Sequence, residues 1–279
     1  MTISTGDQLK DALGNNASRL VIDKASLSNT AAGQYHSLWR ATGQPGQGAI
    51  PGAAAVCNNS LTGAFQFNQQ TPPATSYGAW ASAVCSNSAV TIEIHDRLMH
   101  MGGLSGTVTT AQTVNLDLNA NLATDNLDER KGDANFSDVQ WWLEWYTDTG
   151  GTAVTATVGV TYNDGTSGNL SAISLAATRR ASLMVPLNGY IPAAASGKYI
   201  RDVDSITLSA TTGTAGSFGV TATRPRMDFP LLLANKKEIF NWADLGLPEI
   251  FNSSCLFPLQ LASTTTTGTV RGGGKIAHG

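Results

Sequence analysis

Residues 138–176 read DVQWWLEWYTDTGGTAVTATVGVTYNDGTSGNLSAISLA, and the alternation of their side chains dictates extended chain. Val139, Trp141, Leu143 and Trp145 fall on one face, and Gln140, Trp142, Glu144 and Tyr146 on the other. That is the two-residue period of a strand with one face more buried than its reverse. A second strand follows, in which Val154, Ala156, Val158, Val160 and Tyr162 alternate with Thr155, Thr157, Gly159, Thr161 and Asn163. Asn163, Asp164 and Gly165 tolerate the positive φ of a tight hairpin turn, and strand composition resumes over residues 170–175. The segment predicts a β-meander. The fold class expected from it is mainly β, an antiparallel β-sandwich or jelly-roll-like body with little helix.

Composition supports many short strands rather than long amphipathic helices. Charged residues make up only 13% of the 279, while Gly, Thr, Ser, Ala and Asn are abundant. A surface so lightly charged is suited to burial against other subunits, as it is to a hydrated Thr-rich sheet face. The net charge of −3 and the scatter of Lys and Arg offer no basic field for nucleic acid. Residues 1–10 lack a basic segment followed by an apolar one, and no run approaches the roughly 18 apolar residues of a membrane span. A soluble, unexported chain without direct contact to nucleic acid or membrane is therefore expected. Cys57, Cys85 and Cys255 are odd in number and widely spaced, which points to buried thiols rather than a disulfide framework or a zinc site.

The chain divides by composition into an N-terminal arm over 1–54, a β-rich body over 55–261 with its meander core at 136–224, and an extended C-terminal arm over 262–279. Within the first arm, residues 7–13 suit a helical turn or two and 19–22 a short strand. The stretch QYHSLWRATGQPGQGAIPG places Tyr35, Trp39 and Arg40 before a run of Pro and Gly that continues neither a helix nor a central strand. Its aromatics are expected to dock, either on the chain's own body or on a neighbouring subunit. In the body, strands are expected over 61–67 and 90–95, with a loop from Met99 to Gly103, and within 107–119. Residues 80–84 fit a helical turn or a strand, and the charge run DNLDERKGD at 125–133 reads as a solvated connection. Ile206, Leu208 and Ala210 are expected to pair with Phe218, Val220 and Ala222 across a Gly-containing turn, in a sheet closed off by Pro225 and Pro230. Residues 231–242 form the best helix candidate. The terminal ASTTTTGTVRGGGKIAHG cannot build its own core and is read as disordered or as an arm added to another sheet, through Val270, Arg271 and Ile276.

Candidate chemistry is sparse. His95, Asp96 and His100 lack the spacing and the carboxylate of a helical zinc motif, and Asp117, Asn119 and Asn121 lack the glycine and closing Glu of a calcium loop. No Ser sits in a nucleophile elbow, and no cofactor is implied. Trp142 and Tyr146 share a strand face, so they suit either a core or subunit contact or a two-ring platform for a glycan.

The aromatic arm, the Thr/Ala/Gly-rich body around DVQWWLEWYTDTG and the terminal LASTTTTGTVRGGGKIAHG together resemble virion structural proteins of tailed bacteriophages, most of all capsid decoration or cement proteins. The resemblance implies a non-enzymatic protein made in the host cytoplasm and mounted on the outer surface of the phage head. It implies as partners the major capsid protein and copies of itself, as a dimer or trimer. The alternative is a tail- or fibre-associated β-sandwich module that binds host glycan.

Overall fold

A computed structural model describes residues 3–279. In chain order its elements are α1 (Gly6–Asn15), β1 (Ala17–Lys24), β2 (Tyr35–Ser37), β3 (Gly43–Gln44), β4 (Ala55–Val56), β5 (Ser76–Cys85), β6 (Val90–Leu104), β7 (Gln112–Asp117) and α2 (Leu127–Arg130). They continue with β8 (Gln140–Thr147), β9 (Val154–Tyr162), β10 (Ser167–Asn169), β11 (Ile173–Leu175), β12 (Leu183–Pro186), β13 (Ile200–Leu208), β14 (Ser217–Leu231), β15 (Glu238–Phe240), α3 (Trp242–Leu245), β16 (Leu256–Leu261) and β17 (Val270–His278). The fold is mainly β, antiparallel and jelly-roll-like, with little helix. Two compact units emerge: one comprises Met1–Ala49, Asn58–Asp96 and Pro225–Gly279, the other Ile50–Cys57 and Arg97–Arg224.

The second unit is a sandwich built around the tryptophan-rich strand. One sheet runs β12-β8-β14-β6-β4, and the other β10-β9-β13-β7 with β11 also on β9. Trp141, Leu143 and Trp145 of β8 meet Val158 and Val160 of β9 and Val203 and Ile206 of β13 in one buried cluster. The Trp141 indole donates 2.9 Å across the core to the Ile200 carbonyl, and Trp145 stacks on Phe218 with centroids 5.7 Å apart. Asn163 to Gly165 make the expected tight turn, with Gly165 at φ +84° and β10 folded back on β9. The meander itself is corrected, because β8 and β9 lie in opposite sheets. The 206–222 hairpin fails for the same reason: β13 pairs with β9, while β14 pairs with β8. Consecutive strands neighbour one another only about two-thirds of the time, and a sandwich crossover looks like a hairpin in sequence.

The first unit is a sandwich too. Its sheet β15-β5-β17-β1-β3 packs Leu20, Ile22, Ala81, Ala83, Val270 and Ile276 against Ile92 and Ile94 of β6, Phe229 of β14 and Leu256 of β16. On the second layer, β16 pairs with β2 on one side and β6 on the other. Helix α1 starts at a capping box in which Thr5 Oγ1 accepts from Gln8 N while Gln8 Oε1 accepts from Thr5 N. Ten residues are marginal as an isolated helix, so α1 depends on burying Leu9 and Ala12 against Ala79 and Ala277.

Several expectations change here for identifiable reasons. The C-terminal segment is extended, but it adds to the chain's own sheet: β17 lies between β1 and β5, paired over 270–277 with the first and over 270–278 with the second. Strand β6 does not stop at His95 but runs on to Leu104, because its polar side chains find buried partners. Pro225 and Pro230 lie within β14, beyond Thr223 where its ladder with β8 ends, and both face outward. Residues 231–242 form no long helix; the chain turns at Asn235, with φ +58°, enters β15 and then makes the single turn α3. Residues 61–67 form turn and irregular chain, whereas 80–84 are strand. The charge run 125–133 contains α2 and sorts itself, with Arg130 and Lys131 buried and Asp128, Glu129 and Asp133 exposed. Arg130 is held by the carbonyls of Cys57, Asp125 and Arg97.

A chain truncated before Val270 loses the central strand of a five-stranded sheet. Deletion of residues 268–279 is therefore expected to abolish the cooperative unfolding transition of the first unit, followed by near-ultraviolet circular dichroism and limited proteolysis. A truncated chain with the parent's transition would contradict this placement of β17.

Candidate functional site

The side chains with the strongest chemistry lie inside. Glu144, Tyr146 and Trp142 project from β8 on the face opposite the Trp141 core, and all three are buried. Arg97 of β6 meets them, its Nη2 2.6 Å from Glu144 Oε2 and 2.9 Å from the Tyr146 hydroxyl. Thr221 Oγ1 donates 2.5 Å to the same carboxylate oxygen, and Arg97 Nε donates 2.9 Å to His100 Nδ1. Burial alone would lower the Arg97 pKa, but the Glu144 carboxylate overrides it and holds the guanidinium charged. Burial and Glu144 push the Tyr146 phenol well above its ordinary value, so it acts as a neutral donor, 3.1 Å from Glu144 Oε2. Trp142 donates from Nε1 to Thr223 Oγ1 at 2.8 Å. Neither ring of the Trp142 and Tyr146 pair is presented to solvent as a platform would be.

The other polar groups flagged in the sequence are similarly engaged. His95 pairs with Glu93 at 2.8 Å, and Asp96 Oδ1 accepts from Cys255 N at 2.8 Å, so the IHDRLMH grouping is dispersed along one strand. Among the described residues no set of three or more His, Cys, Asp or Glu is arranged to hold a metal ion. Asp117 caps the turn that follows it, accepting from Ala120 N at 2.8 Å. It also faces Asp202 in the neighbouring strand. Burial raises the Asp202 pKa to about 6; Arg201, 2.6 Å away, opposes the rise and Asp117 adds to it.

In the first unit, Trp39 is buried between Gly48 and Gly63, where an added Cβ would sit 2.1 Å and 2.4 Å from the indole. The indole donates 2.9 Å to the Ala49 carbonyl and meets Phe257 edge-on. Arg40 donates to the Gly48 carbonyl, and Tyr35 is half-buried at the end of β2. Of the two docking choices, Trp39 takes the chain's own body. Val270 and Ile276 are core, while Arg271 faces out beside Asp23 at 3.2 Å.

One arrangement escaped the sequence altogether. His278 Nε2 lies 2.7 Å from Ser18 Oγ and accepts from Ser18 N at 3.2 Å, which leaves the proton on Nδ1 to donate 2.8 Å to Ser76 Oγ. Burial lowers the imidazole pKa. A serine against a histidine has the form of a nucleophile and base, but Ser18 is buried and its Oγ also accepts from Asn68 N at 2.8 Å. The trio clasps β1, β17 and β5 together.

What the first unit presents outward is the reverse face of that sheet. Register places Ile239, Ser82, Gly273 and Val21 in one row across four strands, with Val84, Arg271 and Asp23 on one side of it and Trp80, Lys275 and Arg19 on the other. Gly273 has to be glycine, since a Cβ there would lie 2.6 Å from the Leu20 carbonyl oxygen. The missing side chain leaves a trough of about 480 Å³ edged by Arg19, Trp80, Lys237, Arg271 and Lys275. Arg19 and Lys275 stand directly opposite one another, a like-charge cross-strand pair that destabilises a sheet.

No protein-family model matches the chain, and no curated protein matches it. Among solved structures it is similar to the family 11 carbohydrate-binding module of cellulosomal cellulase Lic26A-Cel5E of Clostridium thermocellum, at 14% identity and TM-score 0.22 over 67% of this chain and 99% of that one. It is also similar to T=1 particles derived from infectious bursal virus, at 10% identity and TM-score 0.16 over 94% of this chain and 77% of that one. A third likeness is to the infectious bursal disease virus VP2 subviral particle, at 11% identity and TM-score 0.17 over 94% and 79%. These TM-scores do not establish a common fold.

Two outcomes follow from the buried charges. Arg97→Met strands the Glu144 carboxylate and is expected to cost about 3–5 kcal/mol in chemical denaturation, most of which Arg97→Met with Glu144→Met recovers. Asp202 keeps its proton up to about pH 6 in the folded chain but gives it up near 3.8 when unfolded. The folded state therefore binds more protons in that window, and stability falls as pH rises through it. Melting temperatures of the parent and Asp202→Asn, compared across the window, should show the decline in the parent alone.

Proposed function

We propose that this chain is a non-enzymatic virion structural protein of a tailed bacteriophage, mounted on the outer surface of the head as a decoration or cement protein. The observation that carries this reading is how the chain distributes its chemistry. Arg97, Glu144, His95, His100 and His278 are buried and bonded within the protein. By contrast, the face of β5, β17 and β1 offers Arg19, Trp80, Val21 and Arg271, with Ile239 beside them on β15, to whatever lies outside. Arginine and aromatic rings amid apolar groups are the mixture that protein interfaces favour. A shell gains stability when an added protein buries area across neighbouring capsomers, because whatever binds the assembled state alone shifts the balance toward it.

In this reading the partners are the major capsid protein and further copies of the chain. Binding of host glycan by a tail module would have used Trp142 and Tyr146, and that role loses support because both rings are buried.

Stained gels of purified particles should show this chain at a copy number comparable to that of the major capsid protein, and labelled antibody should decorate heads. A few copies per particle, or label confined to tails, would overturn the proposal.

A further inference from the structure

The trough on the first unit is cationic, although the chain as a whole carries a net charge of −3. Arg19, Lys237, Arg271 and Lys275 edge it, and Asp23 is the one carboxylate in the rows that cross it. Lys275 donates to the Leu13 carbonyl and Arg271 leans on Asp23, while among the described residues Arg19 has no side-chain partner. The strain of opposing Arg19 to Lys275 is relieved when an anion is placed between them. Apolar surface accompanies the charge. Ile239 on the same face is 60% exposed, and Val21 in the same row is 45% exposed. The chain leading into and out of β15 leaves Leu232, Leu233 and Trp242 exposed as well. A free anion or an acidic sugar has no use for these aliphatic groups, whereas a protein surface does.

The chain carries a surface of the opposite sign on its second unit. In residues 125–133 the cations turn inward, Arg130 onto backbone carbonyls and Lys131, its side chain nearly buried, into a 2.9 Å pair with the exposed Asp128. Asp128, with a side chain 66% exposed, then stands in solvent with Glu129 and Asp133. The backbone behind them is stiffened by α2 and by Ser137 N and Oγ, which both donate 2.9 Å to the Asp133 carboxylate. A preformed acidic turn loses little entropy when it is bound.

We propose that the cationic trough of β5, β17 and β1 takes the acidic turn 125–133 of a second copy of this chain, in a head-to-tail contact between copies. The contact is heterologous, so repeating it closes a ring or extends an array according to the rotation it imposes. It rests on the self-association in the function proposed above and names the two surfaces that meet.

The test uses the full chain alone, without capsid. Sedimentation velocity is expected to show oligomers at about 50 mM salt that dissociate at about 500 mM, since exposed charges are screened within a few ångströms there. Arg19→Glu with Lys275→Glu, and separately Asp128→Lys with Glu129→Lys, should each weaken association by about tenfold or more at low salt. All four positions are exposed, and unchanged melting curves verify the fold. Mixing the two double variants should restore assembly, because each then offers the charge that the other lacks. A parent that stays monomeric at low salt overturns the inference, as does a mixture that fails to assemble. A groove variant that dissociates while the turn variant assembles normally also overturns it, assigning the trough to another acidic surface. So does a monomeric parent that is retained on an acidic polysaccharide through Arg19 and Lys275. The shell proposal fails independently: a chain abundant on heads but monomeric in solution sinks only the self-contact, and an oligomer absent from heads sinks only the shell reading.

Discussion

The first sandwich depends on the ladder between β1 and β17. These strands come from opposite ends of the chain, with Ser18 and His278 in contact across 260 residues. Eight consecutive register pairs join them, and β5 then seals the other edge of β17. Closing so long a loop costs conformational entropy before any contact offsets it. The sheet therefore needs dense reward where it closes, and the His278 clasp together with the core positions of Leu20, Ile22, Val270 and Ile276 provides it. The trough, the exposed β15 edge and the seat of α1 all follow from that closure.

Charge is used unusually in this molecule. Lys24, Arg97 and Arg130 are each fully or almost fully buried. Lys24 reaches the carbonyls of Ala41, Pro45 and Gly46, and burial lowers its pKa to about 8. Arg130 is held by three further carbonyls. Buried cations matched to fixed acceptors are poor reagents but good specifiers of one arrangement, because removing either member leaves the other stranded in a dry interior. A chain with few charged residues thus commits several of its cations to shape.

Local periodicity made the strands legible and left their partners hidden. The alternation of β8 and β9 and the turn at Gly165 are encoded within a few positions, and they appear where the residues say they should. Which strand neighbours which is set by contacts far apart in sequence. Hence β13 and β14 looked like a hairpin and are instead divided between two sheets. The triple glycine of β17 misled most: read alone it is a hinge, yet Gly273 is small because the Leu20 carbonyl crowds it inside a sheet. Polar residues misled in the opposite direction. His95 and Asp96 looked like the end of a strand because the groups that hold the rest of β6, Cys255 against Asp96 and Glu144 against Arg97, are remote in sequence. The trough was beyond reach for the same reason, since Arg19, Trp80 and Lys275 share a face only once the register is known.

The position of β17 sets an order in which the two sandwiches can form. Residues 97–224 of the second unit leave the ribosome long before Val270 does. The outward sheet of the first unit, in contrast, has no centre until residues 270–278 emerge. A chain that stops before residue 270 lacks the trough, because Arg271, Gly273 and Lys275 of β17 line it. The two sandwiches thus differ in when they can close: the second has its strands in hand early, whereas the first must keep the edges of β1 and β5 unpaired until β17 arrives to lie between them.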